Sequence, residues 1–211
     1  LWFASMGSGV WKHNPQANSF EKYINKEGEP NSLSSNSVSS VMQDSKGRIW
    51  LSTDRGGICR YNAETNDFTS FSIKEGLPDD VAYEILEDDA HNLWFGTNKG
   101  LVKFNPETKD IHVFTTKDGL LGNQFNYKSA LKVGDGRFFF GGINGLIAFD
   151  PNISRQQLAP PSPIYISKFS IYNKEITVHT PNSPLKKNIV GTEEIVLPYN
   201  QSNISFDIAL L

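Results

Sequence analysis

The chain has 211 residues, a net charge of −3 and a pI of about 5.8, a length suited to one large all-β domain or two smaller ones. The acidic balance lacks the basic stripe of a nucleic-acid binder, so no nucleic-acid contact is expected of this segment. No run approaches the ~18 apolar residues of a membrane span, and Cys59, the single cysteine, excludes an internal disulfide.

A repeat organises the first two thirds. Trp2, Trp50, Trp94 and Phe139 recur at spacings of 48, 44 and 45 residues. Each sits in a short hydrophobic phrase: Leu1 to Ser5, Ile49 to Thr53, Leu93 to Thr97 and Phe138 to Gly142. A glycine follows each time (Gly9, Gly57, Gly100, Gly145), and Asn14, Asn62, Asn105 or Asp150 closes the unit. A period of about 44–48 residues with this punctuation marks β-propeller blades.

The repeat from Val38 reads as four strands. Val38 to Gln43 is the inner one. Asp44 to Gly47 forms a hairpin turn that wants positive φ at Gly47. Arg48 to Thr53, Ile58 to Tyr61 and Phe68 to Ile73 follow, separated by Asp54 to Gly57 and Asn62 to Asp67. In the next repeat, Val81 to Glu87, Asn92 to Thr97, Leu101 to Phe104 and Ile111 to Thr115 take the same places. His91 falls where Gly47 sits, and His tolerates φ > 0 better than most residues. The last repeat offers Tyr127 to Val133, Arg137 to Gly141 and Leu146 to Phe149, with no obvious fourth strand. The first lacks an inner strand and opens at Leu1, in the middle of a unit. Residues 1–151 are therefore expected to hold two complete blades and two partial ones, as an excised piece of something longer. Open blade faces would be covered by further repeats or by self-association.

Composition changes after Pro151. Residues 152–163 contain Ala159-Pro160-Pro161-Ser162-Pro163, a stiff linker and a domain boundary. Residues 164–211 return to β patterns without the repeat. Ile164 to Tyr172, Glu175 to Val178, Glu193 to Leu197 and Asn203 to Ala209 are strand candidates. That is too few for a whole sandwich of about seven.

The expected fold class is all-β: a partial β-propeller of four-stranded blades, followed by the first strands of an immunoglobulin-like β-sandwich. These residues resemble a known family. Asn31 to Val38, Asp44 to Trp50, Glu75 to Val81 and Lys99 to Pro106 resemble the two-component regulator propeller repeat of sensor regions in Bacteroides-type hybrid two-component systems. Pro161 to Phe169 and Ser202 to Ala209 resemble the start of the immunoglobulin-like domain, named for its tyrosines, that follows such propellers. The resemblance implies a periplasmic sensor ectodomain whose parent is anchored in the inner membrane and carries a histidine kinase and response regulator. It implies an oligosaccharide input from dietary or host glycans. No kinase residue lies in this chain.

Enzyme chemistry is the rival class. His13 aligns with Tyr61, Phe104 and Phe149 and fills a half-buried slot. His91 is a turn residue, His112 lies on an outer strand, and His179 lies in the second domain. They share no metal-ligand spacing. Asp44, Asp88, Asp89 and Asp135 lie in acidic turns but lack the ligand series of a calcium loop. Gly7-Ser8-Gly9 lacks a phosphate-loop lysine. No catalytic residue, metal or cofactor is expected, and no carboxylate pair argues for a glycosidase or lyase. Trp2, Trp50 and Trp94 read as core because they recur at one structural position. Trp11 breaks the repeat and is the better candidate for exposure. Cys59 reads as a small buried filler.

In a propeller, the loops entering each inner strand share a face with those joining the second and third strands. This places Asn25 to Ser37, Lys74 to Asp80 and Lys117 to Asn126 beside Ser5 to Ser8, Asp54 to Gly56, Asn98-Lys99 and Ile143-Asn144. Loops over a rigid scaffold carry function, and polar side chains can bond sugar hydroxyls. Arg55, Asp80, Asn98, Lys99, Asn123, Gln124 and Asn144 are the candidate ligand-binding residues. A protein-binding or dimerisation propeller with no sugar ligand is the alternative.

Overall fold

The computed structural model describes residues 1–152 and 164–210, and the chain divides into two compact units, Leu1–Asn152 and Ile153–Leu211. Unit one contains four antiparallel meanders. The first holds β1 (Trp2–Ser5), β2 (Gly9–Asn14) and β3 (Ser19–Tyr23). The second holds β4 (Val38–Gln43), β5 (Ile49–Thr53), β6 (Ile58–Asn62) and β7 (Asp67–Phe71). The third holds β8 (Ile85–Glu87), β9 (Leu93–Gly96), β10 (Leu101–Phe104) and β11 (Ile111–Phe114). The fourth holds β12 (Phe125–Lys132), β13 (Phe138–Gly142) and β14 (Gly145–Phe149). The fold is all-β, with the four-stranded sheets of a propeller.

The inter-sheet cores explain the aromatic repeat. Trp2 packs edge-on against Tyr61 of the next sheet at 4.8 Å and Trp50 against Phe104 at 5.9 Å, while Trp94 meets Phe149 at a tilt at 5.1 Å. Each tryptophan thus reaches from its second strand to the third strand of the following sheet. Trp50 is fully buried, and Trp94 is 5% exposed. Burying such a ring contributes on the order of 3 kcal/mol through its apolar area. Phe139 occupies the same position in the fourth sheet, the last of unit one, and is only half-buried. Trp11 likewise lies on the open side of the first sheet, half-buried beneath the Lys22 ammonium, whereas its counterparts Cys59 and Val102 are buried.

A carboxylate holds each tryptophan. Asp44, 4% exposed, accepts from the Trp50 indole Nε1 at 2.9 Å, from the Lys46 and Arg48 backbone amides, and from Arg48 Nε. Asp88, 3% exposed, accepts from Trp94 Nε1 at 2.8 Å and from the Ala90 and Asn92 amides. One side chain therefore closes the hairpin turn and satisfies a buried N–H. The fourth sheet changes both partners together. Val133 stands in the place of Asp44, and Phe139, which has no N–H, stands in the place of Trp50. The backbone closure remains, with Val133 N to Arg137 O at 3.0 Å, as in Asp44 N to Arg48 O at 2.9 Å. Asp135 takes over the Arg137 amide and guanidinium.

The recurring glycine opens the third strand. Gly57 has φ +68°, and a Cβ there would overlap the Phe71 carbonyl oxygen of β7. Gly9 and Gly100 make the same close approach to Tyr23 and Phe114. Gly47 (φ +80°) and His91 (φ +63°) adopt the left-handed conformation expected at their turn position.

Several boundaries differ from the sequence reading. The strand expected over Val81 to Glu87 is regular only from Ile85; ahead of it Tyr83 still bonds Gly96 of β9, but the Ala82 amide bonds Thr53 of the preceding sheet. Ile73 and Thr115 leave their strands. Ser72 and Thr115 instead cap the 3-10 turns Ile73–Glu75 and Thr116–Asp118 through capping boxes.

In unit two, β15 (Ile164–Ile171) pairs β16 (Lys174–Glu175) through a two-residue turn, with Tyr172 and Asn173 at φ +53° and +61°, and pairs β17 (Ile204–Leu210) on its other edge. Phe169, Ile171 and Leu185 form its core. The strand expected over Glu175 to Val178 stops at Glu175, and the one over Glu193 to Leu197 does not form. Alternation is kept there, with Ile195 and Leu197 packed on the core and Val196 76% exposed, but no partner strand is assigned to the segment. Residues 153–163, which include the Pro-rich stretch, lie outside the described residues.

Burial pushes the Asp44 carboxyl up, but the bonds from Trp50 and Arg48 and the Arg48 charge outweigh it, leaving the group below its ordinary value of 3.8. A lowered native pKa contributes stability above the unfolded value that is lost as pH falls through the native one. The melting-temperature gap between the protein and its Asp44→Asn variant should therefore be largest near neutral pH and close as pH drops below about 4. A pH series of thermal melts checks this.

Candidate functional site

The loops between sheets form one polar face, tied together by backbone bonds. Gly9 N donates to Asn36 O, Gly57 N to Asp80 O, Asp54 N to Ser37 O, Phe125 N to Thr97 O, and Ile143 N to Gln124 O. Three loops entering inner strands share one internal design. A leucine plugs the core beneath each: Leu33 and Leu77 are buried and Leu120 is half-buried. An Asx side chain accepts the backbone amide at the loop's start: Asn36 from Asn25 at 2.7 Å, Asp80 from Ile73 at 2.8 Å, and Asn123 from Thr116 at 2.8 Å. The loops are rigid because each has a plug, a clamp and, in two cases, a capping box.

Two of the seven candidate residues are thus structural clamps. Asp80 and Asn123 spend a carboxylate or amide oxygen on their own loops. Asn144 is also committed, donating through Nδ2 to Leu121 O at 3.1 Å. The others divide into groups. Arg55, exposed and at φ +71°, lines a polar cleft of about 680 Å³ with Asp80, Lys26, Lys74 and Glu75. Gln124 and Asn144 border a separate small crevice beside Phe125. Asn98 accepts from the Tyr83 hydroxyl at 2.7 Å, and Lys99 lies 3.7 Å from Asp79.

The sequence reading missed the pair at the inner rim. Tyr83 and Tyr127, from the inner segments of the third and fourth sheets, meet edge to face at 4.7 Å. Tyr83 is 6% exposed and Tyr127 44%. The Asp54 carboxylate, just past β5 of the second sheet, lies near enough to bear on the Tyr127 phenol. Burial, then neighbouring Tyr127, Asp54 and Asp79, pushes the Tyr83 phenol up. Burial and then Asp54 push Tyr127 up against the opposing pull of Arg55. Both phenols therefore stay protonated at neutral pH and act as donors. A signal was present in the sequence, since Tyr83 stands where the preceding repeat has Ser39. An aromatic that departs from the repeat is freed from the repeat's packing role.

The histidines are dispersed. His13 stacks on Phe20 at 4.5 Å, His91 bonds Ser45 and Glu87, and His112 and His179 are exposed. Among the described residues no cluster of His, Cys, Asp or Glu is arranged to hold a metal ion. No helix among them is long and apolar enough to cross a membrane.

Removing a clamp tests the loop design. Asp80→Ala and Asn123→Ala should each lower stability by about 1 kcal/mol, the net worth of one hydrogen bond. Thermal melts and amide exchange at Ile73 and Thr116 measure it, with protection lost locally and kept in β9 and β10.

Residues 32–55 and 76–99 match the two component regulator propeller repeat. Each match runs from just before the plugging leucine, through the Asx clamp and the Asp–Trp pair, to the next turn. The chain is 28% identical to histidine kinase P4 of Formosa agariphila, over 100% of this chain and 19% of the relative. It is also similar to the extracellular domain of a protein described as a hybrid two component system from B. thetaiotaomicron, at 27% identity and a TM-score of 0.67, covering 99% of this chain and 27% of that one. A second such extracellular domain from B. thetaiotaomicron shares the fold at 20% identity and a TM-score of 0.58, over 99% of this chain and 39% of that one. The chain therefore spans between 19% and 39% of the length of these three proteins. Two of its segments thus match two component regulator propeller repeats, and along its length it is similar to extracellular domains of proteins described as hybrid two component systems.

Proposed function

We propose that this chain is a segment of the periplasmic, ligand-sensing ectodomain of a membrane-anchored hybrid two-component sensor. It recognises an oligosaccharide derived from a glycan and passes the signal through unit two, an immunoglobulin-like domain, towards the membrane. The role is binding and relay rather than catalysis. The observation that carries this reading is the clamped polar loop face on repeats matched to such sensor domains. A rigid face loses little ordering entropy on binding, which favours recognition of a flexible, hydroxyl-rich ligand. The ligand would then shift the sensor's equilibrium through differential affinity for two arrangements of the ectodomain.

A second reading has its own support. Leu1, Phe3 and Phe20 of the first sheet, and Leu131 and Leu146 of the fourth, are between 48% and 70% exposed. Apolar faces of that kind favour packing against further blades or a second copy. In that reading the propeller assembles without a sugar.

A thermal-shift screen of the full ectodomain against defined oligosaccharides, with calorimetry on any hit, separates the two. A ligand at a hundred times its dissociation constant should stabilise the fold by about 2.7 kcal/mol. Arg55→Ala should weaken a true ligand of the loop face severalfold. A shift with no oligosaccharide, together with concentration-dependent self-association, would favour the second reading.

A further inference from the structure

We infer that Tyr127 is the stacking platform of the ligand site and that the ligand it receives is an uncharged polyhydroxylated ring, a neutral pyranose unit. This rests on the sensing role proposed above and assigns its central contact to a residue outside the seven loop candidates.

The argument begins with the ring itself. Tyr127 is 44% exposed, yet its ring is held edge to face against the buried ring of Tyr83 at 4.7 Å. Tyr83 is in turn fixed by its own bond to Asn98 at 2.7 Å. An exposed aromatic ring is ordinarily a minor cost that packing would remove. Here an edge contact to a buried ring, itself fixed by a hydrogen bond, holds an exposed ring in place. Preorganised aromatic surface suits a partner with an apolar face, because the ring has already lost its rotational freedom.

The surrounding charges narrow the partner. Asp54 is followed by Arg55, and Asp79 is paired with Lys99 at 3.7 Å. These four groups carry two charges of each sign, so the rim they form sets up no single-sign field to attract an anion or a cation. It does offer both acceptors and donors beside the ring. A ligand with C–H groups on one face and hydroxyls at its edge satisfies both features, as a pyranose does. A flat aromatic ligand would use the ring and leave the charged pairs without partners. A cationic ligand would meet Arg55 and Lys99 at the rim.

The test is calorimetric titration of the intact ectodomain with neutral gluco-, xylo-, manno- and galacto-oligosaccharides and with sulfated and uronate-bearing ones. The protein is compared with its Tyr127→Ala, Tyr127→Leu and Tyr127→Phe variants, each checked by thermal melt. The expected result is binding of a neutral oligosaccharide that weakens at least tenfold in Tyr127→Ala and Tyr127→Leu. Tyr127→Phe keeps the ring and loses only its hydroxyl, so it should bind within about threefold of the parent protein. Unchanged affinity in folded Tyr127→Ala would overturn the platform while leaving oligosaccharide sensing intact. Binding confined to sulfated or uronate-bearing sugars would overturn the neutral ligand. Failure of the unaltered ectodomain to bind any of the sugars would overturn the sensing role and the platform together.

Discussion

The hydrogen bond between a buried aspartate and a tryptophan indole is the constraint on which the rest of unit one depends. It acts at three levels. Locally, the Asp44 carboxylate gathers the Lys46 and Arg48 amides and closes the turn between β4 and β5. Within the sheet, it satisfies the one polar atom that would make a fully buried tryptophan costly. Between sheets, it aims that tryptophan at the next third strand, where Phe104 receives it. Asp88 and Trp94 repeat the arrangement. A carboxylate six residues ahead of an indole thus couples hairpin geometry to blade stacking.

That rigidity passes upward to the loop face. The buried leucines Leu33 and Leu77 seat two loops in the same cores that hold the tryptophans, and the Asx clamps at Asn36, Asp80 and Asn123 fix the loop entries. Little of this face is free to rearrange. A ligand would therefore be read by fixed geometry, and any signal would arise from movement of whole blades or domains. The polar side chains that remain uncommitted on such a face carry more functional meaning than their number suggests. Arg55 and Gln124 belong to this set, while Asp80 and Asn123 do not.

The repeat made most of unit one legible in the sequence. The aromatic period, the recurring glycine and the turn at Gly47 each answer to one physical need, so their positions transferred from one repeat to the next with errors of a few residues. What the pattern could not show was pairing. Val81 to Glu84 has strand-like residues, but Ala82 sends its amide to another sheet. Glu193 to Leu197 alternates correctly without forming a strand, because alternation sets which side chains face a core and says nothing of a partner. The site was less legible for a related reason. Asn and Asp in loops satisfy backbone amides as readily as they bind ligands, and the sequence does not distinguish the two. Tyr83 and Tyr127 come together from inner segments more than forty residues apart, which only the fold reveals.

The fourth sheet offers a natural control, since Val133 and Phe139 replace the aspartate and tryptophan together. The most direct measurement is a double-mutant cycle at Asp44 and Trp50, using Asp44→Val, Trp50→Phe and the pair, followed by equilibrium unfolding. Asp44→Val alone strands a buried indole N–H, and Trp50→Phe alone strips a buried carboxylate of a donor. The double variant should therefore recover stability relative to the sum of the single losses, by about 1 kcal/mol or more. Additive losses would mean that the two side chains act independently and that the bond does not organise the blade.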